Sequence, residues 1–198
     1  MTTARLEAFS DGVIAILITI MVLELKVPPE ASWGALAAST QTLWTYALSF
    51  IYLGIYWTNH HHFFHLVHRV NGAVLWTNLH LLFWLSLVPL VTEWMRHDVS
   101  RPVPTAAYGI VLLLASVAWT IMQSVVVPLQ GPDSRLAKAL GRDFKGKLSI
   151  ALYAAAILLA FVSVWIADVL YVVVALMWLV PDRRIEAFMR DGSSRQPS

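Results

Sequence analysis

The stretch RLEAFSDGVIAILITIMVLELKVP, residues 5–28, decides the fold. Past Asp11 it is an oily run long enough to cross a bilayer, in which Thr19 is the one hydroxyl before Glu24. Yet Arg5, Ser10 and Asp11 stand at its threshold. Ionisable groups in hydrocarbon are costly and usually functional, so their placement needs a reason. The segment lacks a basic leader and an A-x-A-like cleavage site, and it carries Asp11 near its start; it reads as a permanent span and not as a cleaved signal.

The whole chain has the same character. Of 198 residues 58% are hydrophobic and 13% charged, with 9 tryptophans and a mean hydropathy of +0.65, above the roughly 45–50% apolar content of soluble domains. There is no cysteine, which excludes disulfides and thiolate metal sites, and a formal charge of +2 is too small to point to nucleic acid.

Apolar runs of about 20 residues, enough for roughly 30 Å of hydrocarbon, fall at 8–27, 38–64, 71–95 and 104–128. After the basic segment DSRLAKALGRDFKGK, the 33 residues from Leu148 to Val180 are interrupted by one charge, Asp168. As one helix this stretch would be about 50 Å long, too long for a single crossing, so it is expected to fold back near Asp168. The distribution of basic residues tests the count. Six spans with a cytoplasmic N-terminus place Arg5, Arg69, Arg135, Lys138, Arg142, Lys145, Lys147, Arg183, Arg184, Arg190 and Arg195 inside and only Lys26, Arg96 and Arg101 outside, whereas five spans give 7 on each side. Residues 1–182 are thus one six-span domain, and 183–198, ending DGSSRQPS, a cytoplasmic tail of disordered composition.

On a helical wheel at about 100° per residue, Gly12, Thr19, Ile20, Leu23 and Val27 fall within about 60° of Ile16, while Ser10 and Asp11 lie about 120° and 140° away. The stripe either packs on neighbours or lipid or lines a narrow path; periodicity alone leaves both open. Ser10 and Asp11 are expected to face protein. Arg5 and Asp11, six residues apart, are too far separated for an i,i+4 pair, so partners are sought in WTNHHHFFH of the second span and WTNLH of the third: Trp57, Asn59, His60, Trp76, Asn78 and His80.

RLEAFSD, residues 5–11, resembles the R-x-x-x-F-S-D signature that opens the first helix in the transmembrane protein 175 family, the lysosomal potassium channels and their bacterial relatives. The four fixed residues are Arg5, Phe9, Ser10 and Asp11. The resemblance implies a homotetramer whose four first helices surround the pore. It implies closure by large aliphatic side chains, innermost Ile16, then Ile20 and Leu23, a selectivity-linked hydroxyl at Thr19, and a polar network joining the signature to the second and third helices. Where another family member has a serine before the constricting residue this chain has Ala15, and no T-V-G-Y-G carbonyl filter occurs.

His61, His65 and His68 share a helix face, beside His60 and His62, but one cluster falls short of the several carboxylate-supplemented boxes of a membrane metalloenzyme. Hydrogen bonding or pH sensing by the histidines are the other readings. Asp168 and Glu93, near outer span ends, read as snorkelling or capping acids, with a proton relay as the alternative; Glu24 is a surface charge or a contributor to an outer mouth, and Trp33, Trp94, Trp165 and Trp178 are interfacial anchors.

The expectation is therefore an all-α membrane protein of six transmembrane helices per chain, a homotetramer with the first helix lining a central pore. It is a potassium-permeable cation channel, not an enzyme, with no catalytic residue, resident metal or cofactor. Its partners are K+ and other monovalent cations, the lipid bilayer and copies of itself, and it lies in the bacterial inner membrane with both termini cytoplasmic. The rival reading is a proton-coupled cation transporter using Asp11 and the histidine cluster.

Overall fold

The computed structural model describes residues 2–26, 30–97, 101–140 and 144–179; the expected tail at 183–198 lies outside them. The helices are α1 (Thr3–Leu23), α2 (Trp33–Ala38), α3 (Thr40–His65), α4 (Gly72–Ser86), α5 (Val88–His97), α6 (Pro102–Gln130), α7 (Arg135–Leu140), α8 (Phe144–Ala160) and α9 (Val164–Leu179). Among the described residues all regular structure is helical. Three stretches, Thr3–Leu23, Gly72–His97 and Pro102–Gln130, are each long and apolar enough to cross a membrane, and the chain is an all-α multi-pass membrane protein.

Boundaries follow local chemistry. Helix α1 begins at Thr3, earlier than the apolar run, so the charged threshold is itself helical: Arg, Leu, Glu and Ala are strong helix formers. The Asn71 side chain accepts from the Val74 N–H at 3.0 Å and starts α4. The third apolar run is broken at Leu87 because Pro89 has no N–H to donate to the Leu85 carbonyl and its ring crowds that turn. Pro102 stands in the first turn of α6, where its missing donor costs nothing, and Gly131, at φ +96°, ends that helix in a conformation other residues rarely adopt. The fold-back expected near Asp168 occurs at Phe161–Ser163, leaving Asp168 inside α9.

Helix α6 is the hub, packing on α4, α5, α8 and α9, while α1 leans on α3, α4 and α5 at the flank. The buried positions of α6 include Ala106, Gly109, Ala115 and Ala118, and those of α8 include Gly146, Ala156 and Ala160. Small residues let helices approach closely where lipid supplies no hydrophobic drive. The approach is tightest at Gly109: a Cβ there would sit 2.2 Å from the Tyr171 hydroxyl and 2.9 Å from Ile157 Cγ1. That hydroxyl donates to the Thr105 carbonyl at 2.9 Å, so Tyr171 cannot move without losing a buried bond.

Gly109→Ala is expected to lower stability by about 1–3 kcal/mol through overpacking, read as a fall in the unfolding midpoint of micelle-solubilised protein. An unchanged midpoint would show that Tyr171 swings aside freely.

Candidate functional site

Helix α1 has two faces. Leu6, Ser10, Ile14, Leu17 and Met21, spaced four, four, three and four, are buried against the rest of the chain. The other side carries the stripe read from the sequence: Ile16 is 58%, Ile20 40% and Leu23 81% exposed, with Gly12, Ala15 and Thr19 also exposed. The expected Val27 lies outside the described residues.

The buried face is fixed by a chain of hydrogen bonds running one way. Asn78 Nδ2 donates to Ser10 Oγ at 3.0 Å, and Ser10 Oγ donates to the Leu6 carbonyl at 2.9 Å, one turn earlier. The Asn78 Oδ1 is left as the acceptor for His60 Nε2 at 2.8 Å, so His60 carries its proton on Nε2. Ser10 and His60 are fully buried and Asn78 nearly so. Beside them Trp57 Nε1 donates to Asp11 Oδ1 at 3.0 Å. The structure therefore brings Ser10, Asp11, Trp57, His60 and Asn78 together.

It leaves the other candidates out. Asn59, one helix step from His60, donates instead to the Ile55 carbonyl of its own helix at 2.8 Å, and His80, on the exposed side of α4, accepts from Trp84 Nε1 at 2.9 Å. Arg5, Phe9 and Trp76 are exposed, and Arg5 makes no hydrogen bond or ion pair among the described residues. Thr19 donates to the Ile16 carbonyl at 2.9 Å. That bond uses its hydrogen and leaves oxygen lone pairs on the exposed stripe, where a cation needs acceptors.

The histidines form a stack and not a cage. The rings of Trp57 and His61 lie 6.5 Å apart, those of His61 and His65 6.2 Å, and His68 is exposed beyond the end of α3. No three His, Asp or Glu side chains among the described residues converge to hold a metal ion. Glu93 pairs with Arg96 and, at 2.9 Å, with His97, which keeps its charge at the end of α5. Glu24 is exposed, and it lines a small pocket with Glu93 and Arg96. Asp168 is half-buried in α9, and its Oδ1 is shielded from solvent without a hydrogen-bond partner.

Two features escaped the sequence. Gln130 clamps the α3–α4 loop, its Oε1 accepting from the N–H groups of His68 and Arg69 at 2.9 and 3.1 Å and its Nε2 donating to the Arg69 carbonyl. Ser49 bridges Thr92 at 2.7 Å and Tyr108 at 3.0 Å in the interior. The recurrence of Ser49, Tyr52 and Tyr56 along one side of α3 was the available signal.

Asn78→Ala removes the bridging amide, leaving His60 Nε2 without its acceptor and Ser10 Oγ without its donor, while Ser10 keeps its own bond to the Leu6 carbonyl. The expected loss is about 1–3 kcal/mol, measured as reduced thermal stability of the purified protein; a variant as stable as the parent would show that water satisfies both groups.

With this geometry in place, comparisons with known proteins are specific. The sequence model of the endosomal/lysosomal potassium channel TMEM175 family matches residues 5–89. The chain is 50% identical over 192 residues to a potassium channel of Chryseobacterium sp. (strain P1-3), covering 97% of this chain and 100% of that one. It is 33% identical over 179 residues to a potassium channel of Chamaesiphon minutus, covering 83% of this chain and 87% of the relative. Its fold is similar to the crystal structure of a lysosomal potassium-selective channel TMEM175 homolog from Chamaesiphon minutus, with a TM-score of 0.76 at 29% identity over 91% of this chain and 97% of that one. A chain whose first helix carries the Arg5, Phe9, Ser10, Asp11 signature, and which matches such a relative from end to end, belongs to the TMEM175 potassium-channel family.

Proposed function

We propose that four copies of this chain assemble around one axis, with their α1 helices lining a potassium-permeable pore closed down by Ile16 and, further along, by Ile20 and Leu23. The observation that carries this reading is the stripe itself. A helix anchored by a buried polar network on one side presents large aliphatic side chains, unpartnered within the chain, on the other. Four such stripes facing one another would form a dry constriction that gates by dewetting. The exposed Phe9, Trp57 and Trp76 supply apolar area for contacts between copies. K+ is the favoured permeant ion, other monovalent cations pass less well, and no resident cofactor takes part.

The chain crosses the bacterial inner membrane six times with both termini in the cytoplasm, an orientation supported by the gathering of Lys and Arg on that side. Reconstitution of the pure protein into liposomes tests the whole reading. Potassium should move down its electrical gradient without a pH gradient, and flux that requires a pH gradient would instead favour coupled transport through Asp11 and the histidines.

Two substitutions test the stripe. Ile16→Asn keeps the size of the side chain and wets the ring, so potassium flux should rise about tenfold, the equivalent of about 1.4 kcal/mol off the barrier, with poorer discrimination against sodium. Reduced expression with unchanged single-channel current would place Ile16 on a packing face. Thr19→Val keeps shape and removes the hydroxyl oxygen; the reversal potential in mixed potassium and sodium should shift toward the non-selective value, and an unshifted potential would leave Thr19 with only its bond to Ile16.

A further inference from the structure

At the end of the bundle where α8 turns into α9, an open groove of about 710 Å³ runs between the start of α3 and the start of α9. Its walls are apolar, built from Leu48, Met95, Val169 and Val172 among others, with Trp44 and Trp165 at 61% and 72% exposure. One acid stands in this wall. Asp168 lines the groove, its Oδ1 is buried with no hydrogen-bond partner, and no cation among the described residues pairs with it. An unpaired carboxylate among apolar side chains is costly unless something supplies donors and positive charge.

The position narrows what that is. Asp168 lies four residues into α9, roughly 6 Å along the helix from its start. With α9 entering the membrane at its start, as the proposed six-span topology has it, this places Asp168 near the interfacial belt where tryptophans sit and lipid headgroups are found. Neighbouring α9 residues Trp165, Val169 and Val173 are exposed, so the groove opens sideways toward the bilayer and can take an acyl chain along its valines. A primary ammonium offers three N–H donors and forms short charge-assisted bonds to carboxylate. The hydroxyl of Thr40, which also lines the groove, donates to the Ala37 carbonyl and keeps lone pairs for a further N–H.

We infer that this groove is a binding site for an ethanolamine-headed phospholipid, whose ammonium pairs with Asp168 while an acyl chain lies between α3 and α9. A choline headgroup lacks N–H donors and an anionic headgroup is repelled by the carboxylate, so the site discriminates by headgroup. Occupancy of this kind would tie α9 to the start of α3 from the lipid side, away from the stripe on α1.

The test uses the full-length assembly in nanodiscs containing equal parts of ethanolamine, choline and glycerol phospholipids, followed by native mass spectrometry. The parent protein should retain ethanolamine lipid over choline lipid by about tenfold, as a charge-assisted bond warrants. Asp168→Asn, which keeps the shape of the side chain, should lose that preference and the thermal stabilisation that ethanolamine lipid confers. Equal retention of the three lipids by the parent, or an undiminished preference in Asp168→Asn, overturns the proposal. So does dissociation of the Asp168→Asn assembly into single chains at every lipid composition, which would mean that another copy fills the groove.

Discussion

Polar atoms carried into hydrocarbon must be satisfied by other protein atoms, because the bilayer core offers no water. The arrangement around α1 depends on how this chain meets that requirement at Asn78. Its amide donates to Ser10 and accepts from His60, joining three helices through one side chain. The Ser10 hydroxyl then returns to the backbone of α1 at Leu6. The series has one direction, from His60 through Asn78 and Ser10 to the backbone, and leaves His60 Nδ1 as a buried atom without a hydrogen-bond partner. Such a chain specifies rotation as well as contact: turning α1 by one residue would bring Phe9 where Ser10 now stands and leave the amide without a partner, or bury the charge of Asp11.

Fixing one face of a helix decides the other. With Leu6, Ser10, Ile14, Leu17 and Met21 committed inward, the 3.6-residue repeat leaves Gly12, Ile16, Thr19, Ile20 and Leu23 outward. The charges that looked anomalous at the entrance of an oily helix divide into two kinds. Asp11 is held by the Trp57 indole and belongs to the anchored face, whereas Arg5 points away from the chain's own bundle. The rest of the molecule supplies a rigid backing. Close helix approach at Gly109 and buried hydroxyl contacts among Ser49, Thr92 and Tyr108 hold α6 against its neighbours, and Gln130 pins the loop on which Thr3 of α1 rests through its bond to the Val67 carbonyl.

The amino-acid sequence by itself determined the membrane class, the positions of the apolar helices and the two-faced character of α1. These depend on composition and on periodicities of a few residues, which survive without knowledge of neighbours. It also named the residues from which the anchoring network is drawn. Which of them would meet was a tertiary matter. Asn59 and His60 are adjacent in sequence and similar in polarity, but they differ by about 100° around the helix, and only the position of Asn78 on α4 selects His60. Likewise Asn78 and not His80 faces α1, and the carbonyls of local helix turns absorb Asn59 and Thr19. The turn at Phe161–Ser163 was displaced from Asp168 because packing of α8 on α9, and not the position of the lone charge, set where the chain reversed. The buried oxygen of Asp168 and the groove beside it belong to the tertiary structure alone, since a cavity exists only between elements whose separation no local pattern encodes.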